Sequence, residues 1–257
     1  MLNRIRGRAV PLALILEKGS DLKTMDNSLI HAKGEINVDN SSKLSIGKSV
    51  QIDAKLFLKN RASLQIADQC RFKNITINIQ NNGEVIFGEG CIFNPPDRFP
   101  MQIDVNDGKL FFEGKNNVMA NILVRFKGQL TIGKYTGIGF NSEVRCEESI
   151  TIGKYGLFSY EICLYDTDTH STDWEKRRER IEAGYPFGAG EIKRPNTKPV
   201  IIGDDVWIGK GATVTKGAMI GNKCIVGIRT VVGGGTFDDE TTIISNKPRT
   251  IQLKKNE

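Results

Sequence analysis

Between Ile202 and Val232 an aliphatic residue recurs at every sixth position: Ile202, Ile208, Val214, Ile220, Val226 and Val232. A strand facing a core repeats every two residues and a helix about every 3.6, so neither accounts for a period of six. Related segments begin at Leu44, Leu64, Val85, Leu110, Leu130, Ile150, Val200 and Ala218. Their starts are separated by 20, 21, 25, 20, 20, 50 and 18 residues. Self-similarity at a spacing of about 20 residues is the signature of a solenoid. Choosing the starts fixes one apolar position per segment, so the fair test is the residues six and twelve places on. Those are Ile52, Leu58, Phe72, Asn78, Phe93, Phe99, Val118, Val124, Ile138, Val144, Phe158, Leu164, Ile208, Val214, Val226 and Val232. All but Asn78 are apolar, where composition alone predicts roughly six of the sixteen.

Three hexads make one coil with three flat sides and three corners. Each side is a short strand paired in parallel with the coil above, and the sixth-residue aliphatics stack inside like rungs. The pattern predicts an all-β fold, a parallel β-helix of about eight triangular coils roughly 38 Å tall. Four residues after the late rungs stand Val206, Ala212, Ala218, Cys224 and Thr230, small enough to turn inward at a corner. Cys70 and Cys91 take the same slot and are expected to be core fillers. Glycines follow the rungs at 47, 88, 133, 153, 203, 209, 221 and 227, where the backbone bends. The expected organisation is an N-terminal cap over residues 1–40, a β-helix over 41–242 with a loop excursion at 166–199, and a tail over 243–257.

The five cysteines form no CxxC pair and are odd in number, which disfavours a disulfide framework or thiolate metal site. The net charge of +6 suits an anionic ligand or simply a basic soluble surface. No nucleic-acid motif or aromatic-basic platform accompanies that charge. The apolar run Val10 to Leu16 is far short of the roughly 20 residues that span a bilayer. It follows Arg4, Arg6 and Arg8, and no small-residue cleavage site succeeds it. A short amphipathic cap and a weakly membrane-skimming segment both fit, and the chain is read as cytoplasmic with no transmembrane segment.

The 50-residue interval between Ile150 and Val200 breaks the rhythm with a polar excursion that holds His170, one of two histidines. Long insertions in a regular scaffold are functional or disordered. An imidazole suits the removal of a hydroxyl proton near neutral pH, and an exposed loop histidine fits the position equally well. His31 precedes the repeats without a motif and reads as structural or surface. The stretch from Asp173 to Gly184 predicts a short helix with an Asp N-cap and a Gly stop, Trp174, Arg178 and Ile181 sharing one face. It fits either a lid or a packed loop helix.

The repeat from Ile202 to Val232, and the stretches KPVIIGDDVWIGKGATVTKGAMIG (198–221) and DTDTHSTD (166–173), resemble the hexapeptide-repeat acyltransferases. The likeness is to maltose, galactoside and xenobiotic acetyltransferases, and in the looser N-terminal half to O-acetyltransferases of capsule or O-antigen polysaccharides. IISNKPRTI (243–251) is similar to the closing turn of that family, from which Ser245 and Lys247 depart. The resemblance implies left-handed winding, an exception to the general crossover rule. It also implies acetyl-CoA as acyl donor, a saccharide, sugar-nucleotide or lipid-linked sugar acceptor, and a homotrimer with sites between prisms.

Carried over residue by residue, the resemblance implies His170 as general base, with Asp166 or Asp168 fixing its tautomer. Asn141, in GIGFNSEV, becomes a substrate-contacting residue about one coil earlier, and a polar corner residue is the alternative. Glu161, Asp166 and Trp174 are candidate acceptor contacts. Trp207, Gly209, Lys210, Lys216, Arg229, Lys247 and Arg249 are candidate donor contacts, Trp207 fitting an intersubunit aromatic equally well.

An N-acetyltransferase of an amino-sugar nucleotide and a non-catalytic scaffold remain alternatives. A metal-dependent anhydrase on this fold needs three zinc-bound histidines, which this chain cannot supply. A sugar nucleotidyltransferase needs a further α/β domain with a phosphate loop, and none precedes the repeats.

Overall fold

A computed structural model describes residues 13–16, 21–24, 31–32, 34–185 and 193–245. Lys247, Arg249 and the closing turn beyond Ser245 lie outside the described residues. Two parallel sheets wind around one axis. The first face is a stack of ten strands, among them Lys43–Ile46, Ser63–Ile66, Glu84–Phe87, Gln129–Ile132, Ser149–Ile152 and Val200–Ile202. A second face runs through Gln51, Arg71, Ile92, Asn117, Gly137, Leu157, Trp207, Ile225 and Thr242, each paired with the next. A third runs through Leu56, Ile77, Ile103, Ile122, Val144, Leu164, Val214 and Val232. The architecture is a three-faced parallel β-solenoid, consistent with the expected left-handed β-helix.

The first face has ten strands, so the prism has about ten turns and not eight. Ala13–Leu16, Asp21–Thr24 and His31–Ala32 pair in parallel with Glu35–Val38, Lys43–Ile46 and Gln51–Lys59, so the ladder begins before residue 41. At the other end Gly235–Phe237 and Thr242–Ile243 add a further turn. These terminal coils lack the aliphatic-glycine signal because their strands take register from the neighbouring coil.

The rungs are where the period of six puts them. Ile46, Ile52, Leu58, Ile132, Ile138, Val144, Ile202, Ile208, Val214, Ile220, Val226 and Val232 are all buried, as are the small residues Val206, Ala212, Ala218, Cys224 and Thr230. Cys70 and Cys91 are buried free thiols, the first donating to the Gly88 carbonyl at 3.2 Å. Two rungs differ from the expectation. A residue inserted at the corner, Asn74 with φ 54, shifts the phase, so that Ile75, Ile77 and Ile79 point inward while Asn78 faces out and donates to Asp104 at 2.7 Å. Phe99 lies on a widened loop, its ring stacked on Phe140 at 5.3 Å, and Met101, Ile103 and Val105 fill the core in its place. The wide coils here are packed by Phe72, Phe87, Phe93 and Phe112, with ring centroids 5.0–5.2 Å apart.

At the first corner the chain turns through left-handed residues that are mostly not glycine: Tyr135 (φ 66), Tyr155 (φ 59), Asp205 (φ 58), Lys223 (φ 56) and Glu240 (φ 59). Each uses its N–H to reach the coil below, as Tyr155 does to Lys134 O at 3.0 Å and Asp205 to Lys154 O at 2.8 Å. That bond is what offsets the left-handed strain, of order 1 kcal/mol per residue. Two positions earlier in each coil the backbones come closest. A Cβ at Gly133 would lie 2.4 Å from Gly153 C, and one at Gly153 would lie 2.5 Å from Gly203 C. Gly153→Ala is therefore expected to cost about 1–3 kcal/mol of overpacking. Gly233→Ala, where an added Cβ meets nothing within 4 Å, should change stability by less than about 0.5 kcal/mol. Urea unfolding of the two variants checks the contrast.

Candidate active site

The excursion leaves the prism at the third corner, after the strand Cys163–Tyr165, and returns at Val200–Ile202. Its neck is a short antiparallel clamp. Thr167 bridges Thr197, Asp168 N donates to Asn196 O at 3.0 Å, and Lys198 N donates to Asp166 O at 3.0 Å.

Beneath the neck lies a buried polar anchor. Asp166 is fully buried, and its carboxylate accepts the backbone N–H groups of Glu147, Glu148 and Ser149, each at 2.8 Å. Burial pushes its carboxyl above the usual aspartate range, against the pull of those donors. Glu147, also fully buried, accepts from Arg125 Nε at 2.6 Å and from Thr167 Oγ1 at 2.8 Å. Each carboxylate's desolvation is offset by its own donors, the backbone N–H groups of 147–149 for Asp166 and Arg125 with Thr167 for Glu147, as buried charge requires. Sequence reading missed Arg125 and Glu147. Neither belongs to a motif, and only the stacking of coils brings them under Thr167.

Above the anchor, Tyr165, Thr167, Asp168, Thr169, Lys198, Thr215, Lys216 and Gly234 line a cleft of about 530 Å³. Its wall spans three successive coils. Lys216 Nζ meets Asp168 Oδ2 at 2.6 Å, and Tyr165 donates to Glu143 Oε2 at 2.7 Å. His170 follows the lining residue Thr169 in the chain and is exposed, with its backbone N–H on Asp168 O at 2.7 Å and its Nδ1 2.9 Å from Arg180 Nη1. Neither expected carboxylate orients the ring. Asp166 is consumed by the backbone, which also removes it as an acceptor contact, and Asp168 is paired with Lys216.

The helix Trp174–Gly184 starts as expected, Asp173 capping Glu175 N at 3.0 Å. It ends on an extended Tyr185 instead of a left-handed glycine. None of its residues is buried, so it is not packed onto the prism. Trp174 is exposed, with Arg178 4.7 Å over its ring.

The remaining candidates gather elsewhere. Asn141 (φ 56) and Glu161 (φ 63) sit on the second corner, where Glu161 pairs with Lys210 at 3.3 Å and the Lys210 ammonium covers the Tyr160 ring at 4.9 Å. Arg229 follows one coil on, its N–H on Lys210 O at 2.8 Å. Gly209 is buried, and a Cβ there would lie 2.7 Å from Ile228 N, which gives it a packing role. Trp207 projects from the second face between Leu157 and Ile225, away from the cleft. Asn141 and the His170 loop thus flank opposite edges of the third face, separated by the strand 142–146, roughly 16 Å at 3.3 Å per residue. The basic residues expected as one group likewise divide, Lys216 at the third corner and Lys210 and Arg229 at the second.

Residues 199–228 match the family model described as "Hexapeptide repeat of succinyl-transferase". No curated protein matches the chain in sequence. Two solved structures are similar over nearly the whole length. The polysialic acid O-acetyltransferase OatWY is 17% identical over 95% of this chain and 94% of its own, with a TM-score of 0.37. The polySia-specific acetyltransferase NeuO is 15% identical over 96% of this chain and 91% of its own, with a TM-score of 0.39. Likenesses at this level carry no argument about activity. The hexapeptide repeat that the spacing anticipates is thus matched directly over the coils that follow the excursion.

The buried anchor makes a direct prediction. In Asp166→Asn an amide NH₂ must face backbone donors, so urea unfolding should show a loss of about 2–3 kcal/mol, larger than for any single exposed carboxylate.

Proposed function

We propose that the chain is an acyltransferase that moves an acetyl group from acetyl-CoA to a saccharide hydroxyl, with His170 as general base. The observation that supports this reading is the position of the cleft, opened where the long excursion interrupts hexapeptide coils, with Thr169 in its lining and His170 next in the chain. Lys198 and Lys216 on the cleft wall suit the phosphates of a coenzyme A donor. In the reaction the imidazole takes the hydroxyl proton while the alcohol oxygen attacks the thioester carbonyl. The tetrahedral intermediate collapses, the C–S bond breaks, and the thiolate leaves with the proton that the imidazole returns. A surface polysaccharide of the capsule or O-antigen kind is the acceptor the sequence resemblance favours. Among the described residues no helix is long and apolar enough to cross a membrane, and we place the reaction in the cytoplasm.

The division of candidate residues between two corners supports a homotrimer. In a cyclic assembly each contact joins two different patches, an arrangement in which the second corner of one copy can meet the third corner of the next. That would bring Asn141, Glu161, Lys210 and Arg229 to a partner's His170. Leu157, Trp207 and Ile225 form an outward apolar column on the face beside the second corner, and Leu157 is 65% exposed in the single chain. Burying it against another copy supplies the hydrophobic drive for assembly.

Two experiments test this function. With acetyl-CoA and a panel of saccharides, mass spectrometry should show the gain of one acetyl group on an oxygen, and His170→Ala should lower kcat by about 10²–10⁴-fold. An acetyl gain only on amino-sugar nitrogen would replace O-transfer by N-transfer. In light scattering the wild type should have three times the chain mass, and Leu157→Arg should be monomeric with turnover lost. A fully active monomer would rule out the shared site.

A further inference from the structure

A neutral imidazole has one N–H and one lone pair. Arg180 Nη1 lies 2.9 Å from His170 Nδ1. A guanidinium is all donor and no acceptor, so Arg180 donates and Nδ1 accepts. The ring proton therefore sits on Nε2, and the only basic lone pair faces a fixed positive charge. In that state neither nitrogen can take a proton from a hydroxyl: Nε2 already carries one, and Nδ1 is engaged. The carboxylate that would otherwise reverse the tautomer, Asp168, is held by Lys216.

Arg180 stands on the helix Trp174–Gly184, which buries no residue. Two of its contacts lie within its own loop: Asp173 caps it, and Arg177 Nη1 donates to Ser171 O at 2.7 Å. An isolated helix of this length is marginal in water. Moving it would expose no core, so the contact with His170 can be broken without disturbing the prism.

We propose that Arg180 is a positioning residue that keeps His170 idle in the Nε2–H tautomer, and that the helix withdraws it when the site fills. This rests on His170 being the base and states when it can act. With Arg180 gone the lone pair of the ring is free to face the acceptor hydroxyl.

The chain has two histidines, so ring ¹⁵N resonances are simple to assign, with His31→Gln identifying those of His170. In the wild type one ring nitrogen should resonate at the protonated limit and the other at the unprotonated limit. In Arg180→Ala the two should move toward each other, while Arg180→Lys, which still donates, should hold the wild-type values. Because Arg180 leaves only as the site fills, Arg180→Ala should raise kcat/KM for the acceptor roughly twofold or more, with the donor KM unchanged. Identical ring resonances in wild type and Arg180→Ala would overturn the contact, and an unchanged or lower acceptor kcat/KM would overturn the idle state. Turnover of His170→Ala tests the base assignment separately, because the resonances report the Arg180 contact whether or not catalysis depends on that ring.

Discussion

Each coil of this prism makes the backbone hydrogen bonds of its strands with the coils above and below it, and bonds within a coil close its corners, as Ala212 N does on Gly209 O at 3.2 Å. Along the first face the parallel ladder keeps one register: Leu44 stands over Leu64, Leu64 over Val85, and Val85 over Leu110. The spacing between coils, about 4.8 Å, is the constraint from which the rest of the architecture follows. It requires glycine where Gly133, Gly153 and Gly203 nearly touch. It also lets Tyr135 and Tyr155 hold left-handed backbones, because each N–H finds a carbonyl one coil away. Their rings stack at 5.2 Å for the same reason.

The same ladder positions the candidate site. A chain that must return to register can leave it only at a corner and must come back to the corner it left. The excursion does so through the Thr167–Thr197 clamp, anchored by Asp166 and Glu147 from below. Those two acids serve the scaffold, and above the neck Lys198 and Lys216 line the cleft, Lys216 paired with Asp168, while Arg180 engages the His170 ring. Rigid coils thus carry a polar loop whose outer part is a helix with no buried residue.

Much of this was legible in the residues. The period of six is enforced by burial, and burial is a property of residue type, so rungs and corner fillers could be named in advance. The His170 excursion was visible as a break in that period. Asn78 and Phe99 were misplaced because one extra corner residue, Asn74, resets the phase without changing the composition. The orienting partner of His170 was also out of reach: two aspartates lie near it in sequence, yet the backbone consumes one, Lys216 holds the other, and an arginine ten residues on takes the ring.

By itself the sequence determined the solenoid class, the three-faced cross-section, the buried rungs and the place where the rhythm fails, because each follows from the spacing of apolar side chains along one chain. Only the tertiary structure decided the number of turns, the burial of Arg125 and Glu147 beneath the loop, and the separation of Asn141 from His170 by a whole face. These depend on which residues stacking brings together across about 20 or more positions, and no local pattern encodes that distance.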